Sequence, residues 1–376
     1  MAEYLTNTTD LTKVADAIRA KSGTTAVLEY PDGFATAIGD IQTGTELSIV
    51  VTVTSGAVVT ATKGSTTVSG TSVNGVCTLV VPEAGTWSVK ATLGEQTSKA
   101  KNVFVVDSYA VKLSFASSTL NNNDWATIKS VSDAGQGANY WSIGDRKAVT
   151  LNGTVGNLSL SNVTTYAFIL GFNHNAIIEG ANRIHFQLAK AALSGGTDVC
   201  FHDSSYNSIV STTGFFSMNS SNTNSGGWES SQMRTNICGT SLSNYSGTII
   251  AVIPAALRAV LKSVTKYTDN TGNGSTVDSN VTATTDYFFL LSEFEVFGSI
   301  SYANANERHI QAQYAYYSAG NSKIRYKHDD TSTPANWWLR SPTAKYSYRF
   351  ALVSVGAESY YSYAPYSSGF APGFCV

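Results

Sequence analysis

The chain has 376 residues, with 24 Lys and Arg against 26 Asp and Glu and a net charge of −2. Charged residues make up only 13%, about half the share of an ordinary soluble domain, and without a basic excess no nucleic-acid partner is expected. Ser, Thr and Asn supply 47, 43 and 26 residues instead, which with 31 Gly and 7 Pro argues against a helix bundle and for strands joined by polar loops.

Residues 1–44 read as a helical hairpin for attachment or oligomerisation. Asp10 is placed to cap a helix with Leu11, Val14 and Ile18 on one face and Gly23 at its end. Pro31 holds Tyr30 extended, and Asp32 is placed to cap a second helix presenting Phe34, Ile38 and Ile41. Two such narrow stripes bury little alone, so this piece is expected to pack on copies of itself or on a partner. The N-terminus lacks the apolar stretch of a secretory signal, and no apolar run is long enough for a bilayer. The expectation is synthesis in the cytoplasm and no membrane insertion.

Residues 45–106 change to period two. Leu47, Ile49, Val51 and Val53 alternate with Ser48, Val50, Thr52 and Thr54, and further strands are expected at 58–62, 75–81, 87–92 and 102–106. Turns such as Ser55-Gly56, Lys63-Gly64 and Asn74-Gly75 recur about every 10 residues, the pattern of a small β-sandwich. It resembles the immunoglobulin-like spacer modules of phage and bacterial surface proteins.

Residues 107–376 read as one larger α+β domain. Asp124 is placed to cap a helix over 124–134, with Ile128 and Val131 inward and Gly135 as its stop. A second helix is expected over 254–267 with Leu257, Val260, Leu261 and Val264 on one face, and a third over 306–318 capped by Asn306. Strand-like runs occupy 165–172, 183–188 and 287–297, and 194–247 is loop-rich.

Enzyme signatures are missing from the sequence: there is no GxSxG, HExxH, P-loop or dinucleotide fingerprint. Gly272-Asn273-Gly274-Ser275 has no Lys and reads as a loop. His174, and His202 with Asp203, lie in separate segments and read as structural. Glu293 and Glu295 are placed on one face of a strand, as a hydrogen-bonded or solvated pair. Cys77, Cys200, Cys238 and Cys375 lie far apart and fit buried single thiols better than disulfides or a metal site. EF-hand and lectin-type calcium motifs are absent too. The chain is therefore expected to be no enzyme, with no catalytic residue, no cofactor and no metal.

The C-terminus carries the functional signal. Asn336-Trp337-Trp338-Leu339-Arg340-Ser341-Pro342 opens it and Gly369-Phe370-Ala371-Pro372-Gly373-Phe374-Cys375-Val376 closes it, both core-like. Between them Tyr346, Tyr348, Tyr360, Tyr361, Tyr363 and Tyr366 sit among Ser, Gly and Ala without a strand period. So many phenols in so short a span cannot all be buried. Tyr with Ser is also the composition of antibody paratopes, because a phenol offers wide amphipathic contact with two torsions to freeze.

WWLRSP, a run of interchangeable residues and then GFAPGFCV resemble the C-terminal end of variable proteins of diversity-generating retroelements, a C-type-lectin-fold family of phages and bacteria. The upstream phrases YWSIGDRKAVTLNGTVG (140–156), YAFILGFNHN (166–175), IHFQLAK (184–190), NSGGWESSQMR (224–234) and LLSEFEVFG (290–298) are similar to the same family, so the likeness spans about 108–376. Residues 15–38 resemble a segment common at the start of phage structural proteins. The resemblance implies an α+β chain: a C-type-lectin-like C-terminal domain preceded by a small immunoglobulin-like β-sandwich and a short N-terminal helical hairpin.

In that family, error-prone copying of template adenines replaces asparagine codons. The resemblance implies ligand-binding, variable positions at Lys345, Tyr346, Tyr348, Arg349, Ser354, Glu358, Tyr360, Tyr361, Ser362, Tyr363, Tyr366 and Ser368, within a variable region of about 343–368. Phe350, Val353, Gly356, Ala364, Gly369 and Pro372 would be fixed between them, with Trp337, Trp338, Phe374 and Cys375 as anchors. Residues 343–376 hold none of the 26 Asn, as replacement of Asn codons would leave them. Lys345 and Glu358 depart from the pattern, since adenine changes alone do not reach them from an Asn codon, and Phe370 stands where Val is commoner. The implied function is a phage receptor-binding protein, an adhesin on the tail of the virion that is expected to be a homotrimer. Its expected partners are a host surface protein or glycan, and a tail or baseplate protein gripping residues 1–43. The alternative is a structural tail-tip or baseplate protein whose Tyr-rich end packs at a subunit interface. A third option, an enzyme like the formylglycine-generating ones, would need paired reactive cysteines near the site.

Overall fold

The computed structural model describes residues 8–22, 25, 27–29, 32–39, 46–94 and 96–376. The chain divides into two compact units, Met1–Leu113 and Ser114–Val376. Among the described residues no helix is long and apolar enough to cross a membrane.

In the first unit, α1 (Thr8–Ser22) and α2 (Asp32–Gly39) form the expected pair of helices. Asp10 is not the cap, because α1 already begins at Thr8. The buried contact is Ala15 and Ile18 against Phe34 and Ala37, with Leu28 packed beside them. Val14 and Ile38, expected inside, are 49% and 53% exposed. The seam therefore pairs one large and one small side chain from each helix. Gly23, Tyr30, Pro31 and Ile41 lie outside the described residues.

Eight strands follow: β1 (Ser48–Thr52), β2 (Val58–Lys63), β3 (Thr66–Thr71), β4 (Val76–Val80), β5 (Gly85–Leu93), β6 (Gln96–Thr97), β7 (Lys101–Val105) and β8 (Ser108–Lys112). They make one sheet of order β4-β1-β8 and another of order β3-β2-β5-β6, with β7 also on β5. Ile49, Val51, Val59, Ala61, Leu79, Trp87, Val89 and Val103 turn inward at period two, as the alternation requires. Asn74 and Gly75 both take positive φ at the tip of the β4 hairpin, the backbone a two-residue turn needs. The boundary expected at residue 106 falls later. Ser108–Lys112 pairs in parallel with β1, so its backbone groups are satisfied within the first unit.

The second unit is mixed α and β. Its α3 (Trp125–Asp133) is capped as expected, Asp124 accepting from the Thr127 N–H at 2.7 Å, and buries Trp125, Ile128 and Val131. A long hairpin of β9 (Arg146–Val155) and β10 (Leu158–Phe172) leads to β11 (Ile184–Lys190) and the short β12 (Val199–Cys200). β13 (Val264–Asp269) pairs with β14 (Val281–Asp286), and β15 (Phe288–Phe289) follows. Then come β16 (Arg325–Lys327), β17 (Pro334–Ala335), β18 (Trp337–Pro342), β19 (Arg349–Val353), β20 (Ser359–Tyr363) and β21 (Gly373–Cys375). The last strand, β21, enters the middle of a sheet of order β15-β21-β11-β10-β9. Phe374 there packs on Phe186, Phe288 and Trp125, with ring centroids 5.3, 5.2 and 6.1 Å away. All four cysteines are buried and unpaired.

Three expected elements differ. The helix over 254–267 is only one turn, Ala255–Arg258, followed by β13, because the Lys262 N–H is taken by the Cys375 carbonyl and residues from Val264 pair with β14. The helix over 306–318 splits into the turns Ala305–His309 and Ala315–Ser318, and Asn304 rather than Asn306 is the cap. The strand expected over 287–297 stops at Phe289, and Glu293–Phe297 is a helical turn closed by a capping box between Ser292 and Glu295. That Ser-x-x-Glu signature was present in the sequence.

Candidate functional site

The C-terminal segment is held at both ends by core. Trp337, Trp338, Leu339, Phe374 and Cys375 are fully buried, and the indole N–H groups of Trp337 and Trp338 donate to the carbonyls of Lys323 and Phe216. Phe350, Val353, Ala364, Gly369 and Pro372 are buried too, whereas Gly356, also expected in the fixed scaffold, is exposed. Between them β18, β19 and β20 form an antiparallel sheet, with Arg349 opposite Tyr363, Ala351 opposite Tyr361 and Leu352 opposite Tyr360.

This register gathers the aromatic residues around one cation. The Arg349 guanidinium lies 4.4 Å from the ring centroid of Tyr346, 5.2 Å from Tyr348, 4.6 Å from Tyr361 and 4.7 Å from Tyr363. It also donates to the Tyr363 hydroxyl at 3.1 Å. Around it the rings touch one another: Tyr348 stacks on Tyr363, Tyr360 on Tyr361, and Tyr363 neighbours Tyr366 at 6.0 Å. Tyr360 and Tyr363 are 51% and 39% exposed, and Tyr346, Tyr348, Tyr361 and Tyr366 are half-buried. Six phenols and one guanidinium thus form a continuous surface. The Lys345 ammonium, 5.3 Å from the Tyr346 ring centroid, and the Tyr361 hydroxyl draw the Tyr346 phenol below its usual range. Burial and the bond to Tyr346 push Tyr361 the other way.

The remaining expected positions divide. Ser354 and exposed Glu358 close the tip of the β19–β20 hairpin, where the Glu358 N–H donates to the Ser354 hydroxyl. That tip is a strand length from Arg349. Ser362 is half-buried opposite the buried Phe350. Ser368 is a correction: it is buried and donates to the Asn336 carbonyl, because the segment around it is drawn into the core by bridges from Gly369 to Trp337 and from Phe370 to Phe201. It belongs to the frame.

One residue of the surface was not legible in advance. Tyr302 packs edge-on to Tyr361 at 4.7 Å and to Tyr360 at 6.3 Å. With Lys345, Tyr346 and Tyr361 it lines a cleft of about 360 Å³. Glu293 places it: the carboxylate accepts from the backbone N–H groups of Ser301, Tyr302 and Ala303. Only the tertiary fold joins positions so far apart in sequence.

Beneath the surface, buried polar groups fix the backbone. The Asn224 amide donates to the carbonyls of Tyr346 and Arg349 at 2.8 and 2.9 Å and more distantly to Thr343, while its oxygen accepts from the Asn273 N–H. Gly272 is required beside it, because a Cβ there would lie 1.9 Å from the Asn224 carbonyl oxygen. Glu293 and Glu295 are both hydrogen-bonded, one of the two expected readings, but they lie on a helical turn and have separate partners. The Glu295 carboxylate meets Arg340 and Lys266, whose charges outweigh burial and hold it well below the usual carboxylate range. Lys266 also donates to Glu179 and to the Tyr314 hydroxyl. His174, stacked on Tyr314 at 3.7 Å, is driven down to about 3, chiefly by burial.

A family model described as a domain of unknown function (DUF6273) matches residues 207–376, which include the Tyr surface and much of its frame. No curated protein and no solved structure matches the chain.

Proposed function

We propose that this chain is a non-enzymatic binding protein, the receptor-binding adhesin of a phage particle whose C-terminal surface is diversified by a retroelement. In this reading the second unit is C-type-lectin-like, the first-unit sandwich is an immunoglobulin-like spacer, and residues 1–43 attach to a tail or baseplate protein. The carrying observation is the surface of Tyr346, Tyr348, Tyr360, Tyr361, Tyr363 and Tyr366 around Arg349, set between the fully buried Trp337, Trp338, Phe350 and Phe374. Contiguous exposed aromatics with a central Arg are the usual anchors of protein interfaces. A host surface protein fits such a patch better than a glycan held through calcium, whose motifs the sequence lacks. A single small patch binds weakly, and a trimeric assembly would raise avidity.

The encoding DNA tests this reading. It requires a nearby near-copy of the 3′ end of the gene that differs from it only where the copy has adenine. The codons for Tyr346, Tyr348, Arg349, Tyr360, Tyr361 and Tyr363 should be among the differing sites, and those for Phe350 and Ala364 should not. A gene with no such copy, or with differences spread evenly over core codons, contradicts it.

A further inference from the structure

Two groups of metal-ligand side chains exist among the described residues, His174–Glu179–Glu295 and His202–His328–Asp329. The first already holds its cations: Lys266 bonds both carboxylates and Arg340 bonds Glu295. Among the described residues no ammonium or guanidinium bonds a member of the second, and the fold assembles it directly. β12 and β16 are parallel, pairing Val199 with Tyr326 and Cys200 with Lys327. Carrying that register two residues on sets His202 opposite Asp329. The His328 N–H donates to the Cys200 carbonyl at 3.0 Å, and Phe201 exchanges backbone hydrogen bonds with Phe370, so both backbones are fixed.

We propose that His202, His328 and Asp329 bind one divalent zinc ion. The His202 Nδ1 lies 3.1 Å from the Asp203 carbonyl and donates to it, which orients Nε2 toward the Asp329 carboxylate, 2.6 Å away. Metal-binding histidines are held in this way, one nitrogen on a backbone acceptor and the other on the ion. The His328 ring stands 5.0 Å from that of His202, and its Nδ1 is buried without a hydrogen-bond partner. The three ligand atoms lie within 4.8 Å of one another. Donors around a tetrahedral zinc sit about 3.3 Å apart, so small side-chain rotations suffice to close on the ion. Two imidazoles and one carboxylate are a zinc set, and the 59% exposed Asp329 side chain leaves the fourth position to water. Asp330 does not fill it, because Ser332 and Thr333 occupy its carboxylate.

The test uses the full chain, stripped with a chelator and titrated with zinc by calorimetry, then with cobalt(II) to read its visible spectrum. The expected result is one ion per chain with a Kd below about 10 μM and a cobalt spectrum of low coordination number. His202→Ala and the exposed-site change Asp329→Asn should each weaken binding by about tenfold or more. His309→Ala, an exposed histidine elsewhere, should leave it unchanged. Unfolding midpoints of the metal-free variants show that each is folded, and Asp329→Asn carries the test if His202→Ala is not. Binding weaker than about 1 mM, or binding that Asp329→Asn leaves intact, overturns the site.

Discussion

Arg340 and Arg349 lie nine positions apart and do opposite work. Arg340 is fully buried, and its guanidinium is committed to Glu295, the Thr268 hydroxyl and the Leu290 carbonyl. Arg349 rests among four tyrosine rings at the surface, with one hydrogen bond to Tyr363. The same side chain is frame in one place and contact in the other. What differs is whether its partners come from the fold below or from the neighbouring segment itself. A surface built in the second way can change its side chains while the first keeps the backbone in place.

The largest expected effect falls on the frame. Arg340→Ala leaves the buried Glu295 carboxylate with only Lys266 and the Ser292 N–H as partners, and should cost about 3–5 kcal/mol in urea unfolding followed by Trp fluorescence. A loss below about 1 kcal/mol would mean that the buried pair is not structural. Next, Asn224→Ala removes one donor from the Tyr346 and Arg349 carbonyls, which keep Thr343, and takes the side-chain acceptor from the Asn273 N–H, and should cost about 1–3 kcal/mol. Hydrogen exchange should speed up over 343–349 and stay slow in β11. Uniform loss of protection would contradict a local pin.

Glu307 sharpens the comparison through pH. Burial raises its carboxyl to about 7 despite bonds from the Asp269 N–H and the Ser341 hydroxyl. A carboxyl raised in the fold favours the folded state below its unfolded pKa, near 4.5, and loses that contribution as pH rises toward 7. Glu307→Gln, which stays neutral, should gain on wild type across this window by up to about 1.4 kcal/mol per pH unit. A stability difference flat between pH 4.5 and 7 rules out the raised carboxyl. The smallest effect is expected at the surface, where Tyr363→Ser should move stability by only about 0.5 kcal/mol.

Much of the frame could be read in the sequence because it is local or periodic. Asp124 before Ile128 and Val131 marks a capped helix, and the alternation from Ile49 to Val53 marks a buried strand. Trp337, Trp338 and Phe374 announce core at both ends of the displayed segment. The failures have a common cause. Val260, Leu261 and Val264 match a helix by spacing, but pairing with β14 and β21 outweighs that local preference. Ser368 looks like its displayed neighbours and is buried by bridges to distant strands. Tyr302, Asn224 and the register joining His202 to Asp329 depend on segments far apart in sequence, and no short-range pattern encodes them.

The most direct test replaces Tyr346, Tyr348, Tyr360, Tyr361 and Tyr363 with Ser in one chain and measures its unfolding against wild type. If the rings are displayed on an independent frame, the second unit keeps a cooperative transition and loses no more than a few kcal/mol, about the sum of five surface changes. Loss of the cooperative transition would show that the phenols hold the unit together, and the division between frame and contact surface would fail.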